Sequence, residues 1–187
     1  MTNPRLAHRY AKSLLDLARE RGQLEPVFSD MLFLQKIMKS SRELIAVLRS
    51  PIIATDKKIK VLEAITAGKV SEPTSLFIKL LVNKGRENSL TEVINAFIKE
   101  YKQLKNIHTV TLTTAVPISD DVKNIFIDQI KRTSNIQNIE LETKVDDKII
   151  GGFILQTGDQ LVDASASYDL REIAKQFRNN DFIYNIR

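Results

Sequence analysis

The spacing of apolar residues changes near Ile107, and this change constrains the fold more than any other feature of the chain. Before it, apolar residues recur at the three-to-four-residue spacing of amphipathic helices. After it, Val110 and Leu112 alternate with threonines, which is typical of a half-buried β-strand. One regular element cannot satisfy both periods. The sequence therefore predicts an all-helical domain over residues 1–106 and a small mixed domain over residues 107–187.

Signals that end or begin a helix recur at short intervals in the first domain. Glycine readily adopts the left-handed backbone that closes a helix, proline disfavours helical geometry in the residue before it, and serine caps a new helix. The signals are Gly22, Ser40–Glu43, Pro51, Gly68 and Gly85. The predicted fold class is therefore α+β, with an N-terminal six-helix bundle followed by a small mixed α/β C-terminal domain.

A hairpin with a glycine pair characterises the second domain. Two apolar runs are joined at Gly158 and Asp159, which is typical of a short turn between strands. Gly151 and Gly152 lie inside the first run, where glycine marks a bulge or a close backbone approach. We expect all four residues to be structural and to contact no ligand.

No pattern in the chain predicts a catalytic, cofactor or metal site. The absence of cysteine excludes thiol catalysis and disulfides. Gly68-Lys69 lacks both the glycine spacing and the Ser or Thr of a phosphate-binding loop. His8 and His108 fall in different predicted domains, so a metal site built on histidines is not expected. We expect a protein that is not an enzyme and needs no cofactor.

The two predicted domains differ in charge. Residues 1–106 contain 19 Lys and Arg against 11 Asp and Glu, a net charge of +8, whereas residues 107–187 contain 9 against 12, a net charge of −3. A basic helical half fits either a solvated helix surface or an RNA-binding bundle of the antitermination type. The basic residues are dispersed and form no aromatic stacking platform, which argues against nucleic acid. With no apolar run long enough to span a bilayer and no leader pattern, we expect a cytoplasmic protein.

Two predicted helices carry more apolar surface than packing on one side requires. The first spreads apolar residues over about half its circumference, and the fifth is apolar in nearly every direction. Such helices are either enclosed within their own bundle or receive a helix from a partner. If a partner binds, the predicted contacts are Tyr10, Ser13, Leu17, Phe77 and Leu80.

Several motifs in order along the chain resemble the delta subunit of bacterial F-type ATP synthases, the counterpart of the mitochondrial oligomycin-sensitivity-conferring protein. They are Arg9-Tyr10-Ala11, Leu80-Leu81 followed by Gly85-Arg86, Gly151-Gly152-Phe153-Ile154, Gly158-Asp159, Asp163, Ser165 and Leu170. The resemblance covers the chain from its first helix to its last.

The resemblance implies a non-catalytic connector that holds the stator of the enzyme against rotor torque. The helical domain is expected to bind N-terminal segments of the alpha subunits, and the second domain to bind the peripheral stalk formed by the b subunits. It further implies a monomer within a hetero-oligomer, held at the cytoplasmic face of the bacterial inner membrane without inserting into it. Neither nucleic acid nor a cofactor is expected as a ligand.

Overall fold

The chain divides into two compact units, Met1–Leu104 and Lys105–Arg187, which are called here the helical unit and the mixed unit. The structure is a computed structural model that describes residues 4–133, 138–158 and 160–178. A helical N-terminal part precedes an α/β C-terminal part, so the predicted α+β class is confirmed. Within the described ranges, no helix is both long enough and apolar enough to cross a bilayer.

The helical unit is built around α6, against which α1 and α2 pack. Its helices are α1 (Pro4–Glu20), α2 (Leu24–Ser40), α3 (Arg42–Arg49), α4 (Thr55–Thr66), α5 (Glu72–Asn83) and α6 (Leu90–Leu104), with a short 3₁₀ helix at Glu87–Ser89. Ala7, Ala11 and Ala18 are buried on α1, and small side chains at these positions let α6 approach closely. Phe97 of α6 is fully buried at the centre of this core.

The start of α3 differs by one residue from the predicted cap. Ser41, not Ser40, is the capping residue, and its hydroxyl accepts a hydrogen bond from the Leu44 N–H at 3.2 Å. Ser40 instead ends α2, where its hydroxyl donates to the Ile37 carbonyl at 3.0 Å. Ser40 thus ends α2, and the adjacent Ser41 caps α3.

The mixed unit is a four-stranded sheet with two helices. Its elements are β1 (Ile107–Thr114), α7 (Asp120–Thr133), β2 (Asn138–Val145), a 3₁₀ turn (Asp147–Ile149), β3 (Gly152–Thr157), β4 (Gln160–Ser165) and α8 (Ala166–Arg178). The strand order is β2-β1-β3-β4. β1 and β2 are parallel and joined through α7, whereas β3 is antiparallel to both of its neighbours. Thr157 pairs with Gln160, which confirms the predicted hairpin.

The mixed unit buries little apolar surface. Val110, Leu112 and Ile149 are its buried hydrophobic residues within the described ranges. α7 is held to the sheet by an edge-to-face contact between Phe126 and Phe153, whose ring centroids lie 5.1 Å apart. Neither α7 nor α8, both described in full, has a residue that counts as buried.

Candidate partner-binding surfaces

Partly exposed apolar side chains of α1 and α5 meet on the helical unit. The ring of Tyr10 meets the ring of Phe77 edge-on, with centroids 6.4 Å apart and planes inclined at 68°. Leu17 is 36% exposed and Leu80 45% exposed, although both belong to apolar helix faces. The two helix backbones approach each other at few points, so the contact between α1 and α5 is made by side chains. We call the surface formed by Tyr10, Leu17, Phe77 and Leu80 the α1–α5 groove.

Ser13, the fifth predicted contact, is an exposed residue of α1. Its hydroxyl donates to the Arg9 carbonyl of the same helix at 2.9 Å. The hydroxyl thus makes a local bond that leaves the side chain small and neutral. Helical spacing places Ser13 between Tyr10 and Leu17 on the surface of α1. Leu76, which the sequence prediction left out, is 53% exposed on α5.

The two glycines of the predicted pair lie in different environments. Gly151 precedes β3 and Gly152 is its first residue, so neither lies in the interior of the strand. Gly152 has φ +74°, and a Cβ there would collide with the Ala164 carbonyl oxygen across the hairpin. Gly151 has no left-handed backbone, and its Cβ would meet only the Ala166 Cβ at 4.0 Å. Gly152 is therefore required by its geometry, whereas Gly151 acts through its carbonyl, which accepts from the Ala166 N–H at 3.0 Å.

The hairpin turn contains the other two predicted structural residues. Gly158 has φ +54° and open space around its Cα, so its backbone angle, not crowding, favours glycine there. Asp159 lies outside the described residues. Asp163 on β4 has a different role: it accepts from the Ser165 N–H at 3.0 Å and lies near the Arg171 guanidinium. The hydrogen bonds from Ser165 and the Arg171 charge lower the pKa of its carboxyl despite partial desolvation.

A second apolar surface lies on α8, the final helix, whose content of Ile, Leu and Phe predicts apolar contact with a partner, although none of its residues is among the predicted contacts. Leu170, Ile173 and Phe177 are 55%, 48% and 80% exposed, and they share one helix face with Ala166. We call these three residues the α8 stripe. Its four-, three- and four-residue spacing from Ala166 is the signal that would have found it.

A groove in the mixed unit is also mainly apolar. It has a volume of about 390 Å³ and lies where α7 meets the sheet. Its apolar lining is Val110, Ile130, Leu155 and Val162, and Gln129, Gln156 and Gln160 stand among the polar residues around it. Apolar surface bordered by amide groups suits a protein segment better than a phosphate or a metal ion.

Buried polar groups in the helical unit make contacts within the protein. Tyr101 donates from its hydroxyl to a Glu25 carboxylate oxygen at 2.6 Å and stacks on Phe28 with ring centroids 3.7 Å apart. Burial, together with the bond to Glu25, raises the pKa of Tyr101 to about 12. Within the described ranges, no three His, Asp or Glu side chains converge on a site that could hold a metal ion.

Residues 6–177 match the family described as ATP synthase delta (OSCP) subunit. An ATP synthase subunit delta from Cytophaga hutchinsonii is 38% identical over 177 residues, which cover 95% of this chain and 96% of that protein. One from Prochlorococcus marinus is 34% identical over 164 residues, 88% of this chain and 91% of that protein. A chain in the mitochondrial ATP synthase hexamer of Toxoplasma gondii has the same fold, with a TM-score of 0.70 at 23% identity over 92% of this chain and 97% of its own length.

Proposed function

Because this chain belongs to the ATP synthase delta (OSCP) subunit family, we propose that its α1–α5 groove binds alpha-subunit N-termini and its mixed unit binds the b-subunit stalk. The protein is a non-catalytic stator connector of F-type ATP synthase, and it associates with the membrane through that complex. Family membership gives no support to the alternative of an RNA-binding bundle.

The groove itself carries the proposal for the alpha subunit. Leu17, Leu76 and Leu80 leave apolar area in water beside the Tyr10–Phe77 contact, and burying such area is worth about 25 cal/mol per Å². An amphipathic helix with apolar residues every three to four positions would cover this surface. The proposed receiving domain is a six-helix bundle over residues 1–106.

The proposal for the stalk rests on the exposed apolar surface of the mixed unit. The α8 stripe and the groove beside α7 both present apolar side chains, and the unit as a whole is acidic, with a net charge of −3 over residues 107–187. Contact with the stalk is therefore expected to be mainly apolar. In this assignment one monomer joins a hetero-oligomer at the cytoplasmic face of the bacterial inner membrane.

A charge placed in the α1–α5 groove tests the alpha-subunit site. Ser13→Arg would bring an unpaired guanidinium against an apolar partner, so we expect a peptide from the N-terminus of the cognate alpha subunit to bind at least about tenfold more weakly, about 1.4 kcal/mol. Affinity is measured by calorimetric titration of the full chain.

Two variants control this experiment. Ser13→Ala removes only the hydroxyl that bonds to Arg9 and should bind as the natural chain does. Gln103→Arg adds the same charge on the exposed surface of α6 and should also leave affinity unchanged. Equal affinity of Ser13→Arg and Gln103→Arg would place the alpha-subunit site elsewhere.

A further inference from the structure

The helix that forms one wall of the α1–α5 groove is tied at its start to a distant part of the chain. Ser71 precedes α5, but its side chain makes no capping bond to the helix. The carboxylate of Asp30 on α2 binds the residues at this helix start: one of its oxygens accepts from the Ser71 N–H at 2.8 Å, the Ser71 hydroxyl at 2.5 Å and the Thr74 hydroxyl at 2.8 Å. A negative charge at this end of a helix is also favoured by the helix dipole.

This arrangement is buried. Asp30 is 8% exposed and Thr74 is fully buried. A buried carboxylate is costly unless hydrogen bonds satisfy it, and here the three donors converge on one oxygen. The bonds therefore hold the start of α5 at a fixed place relative to α2.

The segment after α5 is tied down in a similar way. Lys58 on α4, 4% exposed, donates from its ammonium group to the Glu87 carboxylate at 2.7 Å and to the Leu48 carbonyl at 3.1 Å. Glu87 opens the short 3₁₀ helix just beyond the end of α5. Buried charged groups from α2 and α4 thus fix both ends of α5.

The apolar packing of α5 secures only one of its faces. Ile78, Leu81 and Val82 are buried, whereas Leu76 and Leu80 on the outward side remain about half exposed. Phe77 of α5 meets Tyr10 of α1, so a shift of the ends of α5 would change the spacing of the two helices that form the groove.

We propose that Asp30 is a positioning residue for partner binding. By holding the start of α5, it fixes the spacing of α1 and α5 before the partner helix binds, so that the α1–α5 groove is already formed. The inference rests on the proposed function for the identity of the partner. It extends that function, because Asp30 is not among the proposed contacts of the groove. A preformed groove binds more tightly because less ordering accompanies binding.

Two replacements at Thr74 separate the hydrogen bond from the packing. Thr74→Val keeps the volume and removes the hydroxyl that donates to Asp30, whereas Thr74→Ser keeps the hydroxyl and removes a methyl group. If the hydrogen bonds position α5, Thr74→Val weakens binding of the alpha-subunit peptide about threefold or more and Thr74→Ser leaves it nearly unchanged. Asp30→Ala, which removes the acceptor of all three bonds, weakens it about tenfold or more.

The full-length protein without peptide supplies a second readout. NMR shifts of the Tyr10 and Phe77 ring protons report the contact between α1 and α5, and they should move in Asp30→Ala and Thr74→Val. Met38→Ala serves as a control, because Met38 is buried beside α3 and α6 and its truncation lowers stability without removing any hydrogen bond to Asp30. It should leave both the ring shifts and the affinity unchanged.

The outcomes distinguish this inference from the proposed function. If the natural chain does not bind the peptide, the proposed alpha-subunit site is wrong, while the ring shifts still test whether Asp30 positions α5. Unchanged ring shifts in folded Thr74→Val overturn the inference, as does an affinity that follows side-chain volume and not the hydroxyl. Should Asp30→Ala fail to fold, the Thr74 pair decides alone.

Discussion

The helical unit and the mixed unit reach a folded state by different means. The helical unit encloses apolar side chains from all six of its α-helices, with Phe97 and Leu34 among those fully buried. In the mixed unit, α7 and α8, both described in full, have no buried residue of their own. The fold of this unit rests mainly on backbone pairing among four strands and on turns whose residues have positive φ angles. The comparison teaches that the helical unit is stabilised mainly by packing of its core, whereas the mixed unit leaves much of its apolar surface exposed.

The largest effect should come from emptying the core of the helical unit. Phe97→Ala removes a fully buried ring and leaves a cavity, so we expect a loss of about 3–5 kcal/mol in the unfolding free energy of that unit. Chemical denaturation followed by hydrogen exchange in each unit measures it. Phe177→Ala on α8, where the ring is 80% exposed, should cost less than about 0.5 kcal/mol. Similar losses from the two would break the comparison.

A methyl group at the start of β3 should damage the mixed unit alone. Gly152→Ala forces a Cβ into the Ala164 carbonyl and a left-handed backbone onto alanine, so we expect a loss of roughly 2–4 kcal/mol in the stability of this unit. Gly151→Ala is the matched control and should stay within about 0.5 kcal/mol, since only Ala166 lies nearby. Thermal melting followed by NMR signals from each unit measures the stability of the two units separately. If both variants behaved alike, the assignment of the strained position would be wrong.

A smaller effect, dependent on pH, should come from the buried phenol of the helical unit. Tyr101→Phe removes the hydrogen bond to Glu25, and we expect a loss of about 1 kcal/mol at neutral pH. The pKa of Tyr101 is raised from its usual 10.0 to about 12, so the contribution of this group is complete below pH 10 and is lost as the pH rises towards 12.

Denaturation from pH 7 to pH 12 tests this dependence. The difference between the natural chain and Tyr101→Phe should stay constant up to about pH 10 and then shrink. Tyr168→Phe, at an exposed tyrosine of α8, controls for the loss of one phenol. A difference that grows above pH 10 would contradict the stated sign.

The smallest effect on stability should accompany the largest effect on stalk binding. Leu170→Ser lies in the exposed α8 stripe, so we expect a change within about 0.5 kcal/mol in unfolding free energy. Binding to the soluble part of the b subunits should nevertheless weaken at least about tenfold, which is about 1.4 kcal/mol. Lys175→Ser on the opposite face of α8 should change neither quantity, since exposed ion pairs such as Lys175–Glu172 contribute little. Normal stalk binding by Leu170→Ser would remove the stripe from the proposed interface.

The helices and strands of this fold could be predicted from the sequence because the signals that begin and end them are local. Gly22, Gly68 and Gly85 all have φ close to +65° and follow α1, α4 and α5, as helix-ending glycines do. The alternation after Ile107 likewise marks β1, whose pairing with β2 and β3 then depends on residues far along the chain.

Long-range polar contacts were beyond that reasoning. Asp30 accepts hydrogen bonds from Ser71, 41 residues later, and Lys58 pairs with a carboxylate 29 residues away. No sequence periodicity predicts such pairs, because each partner alone is an ordinary polar or charged residue. The separate environments of Gly151 and Gly152 were equally hidden, since only the register of the β3–β4 hairpin brings the Ala164 carbonyl against one of them.

The short connection between the units has a mechanical consequence. Leu104 ends α6, Ile107 begins β1, and only two residues separate them, one of which is Asn106 with a left-handed backbone. Tension pulling along the chain therefore passes directly from the central helix of one unit to a strand bonded on both edges in the other. Hydrogen bonds between strands run across the strand direction. Such a pull therefore loads many of them in shear at the same time and does not break them one after another.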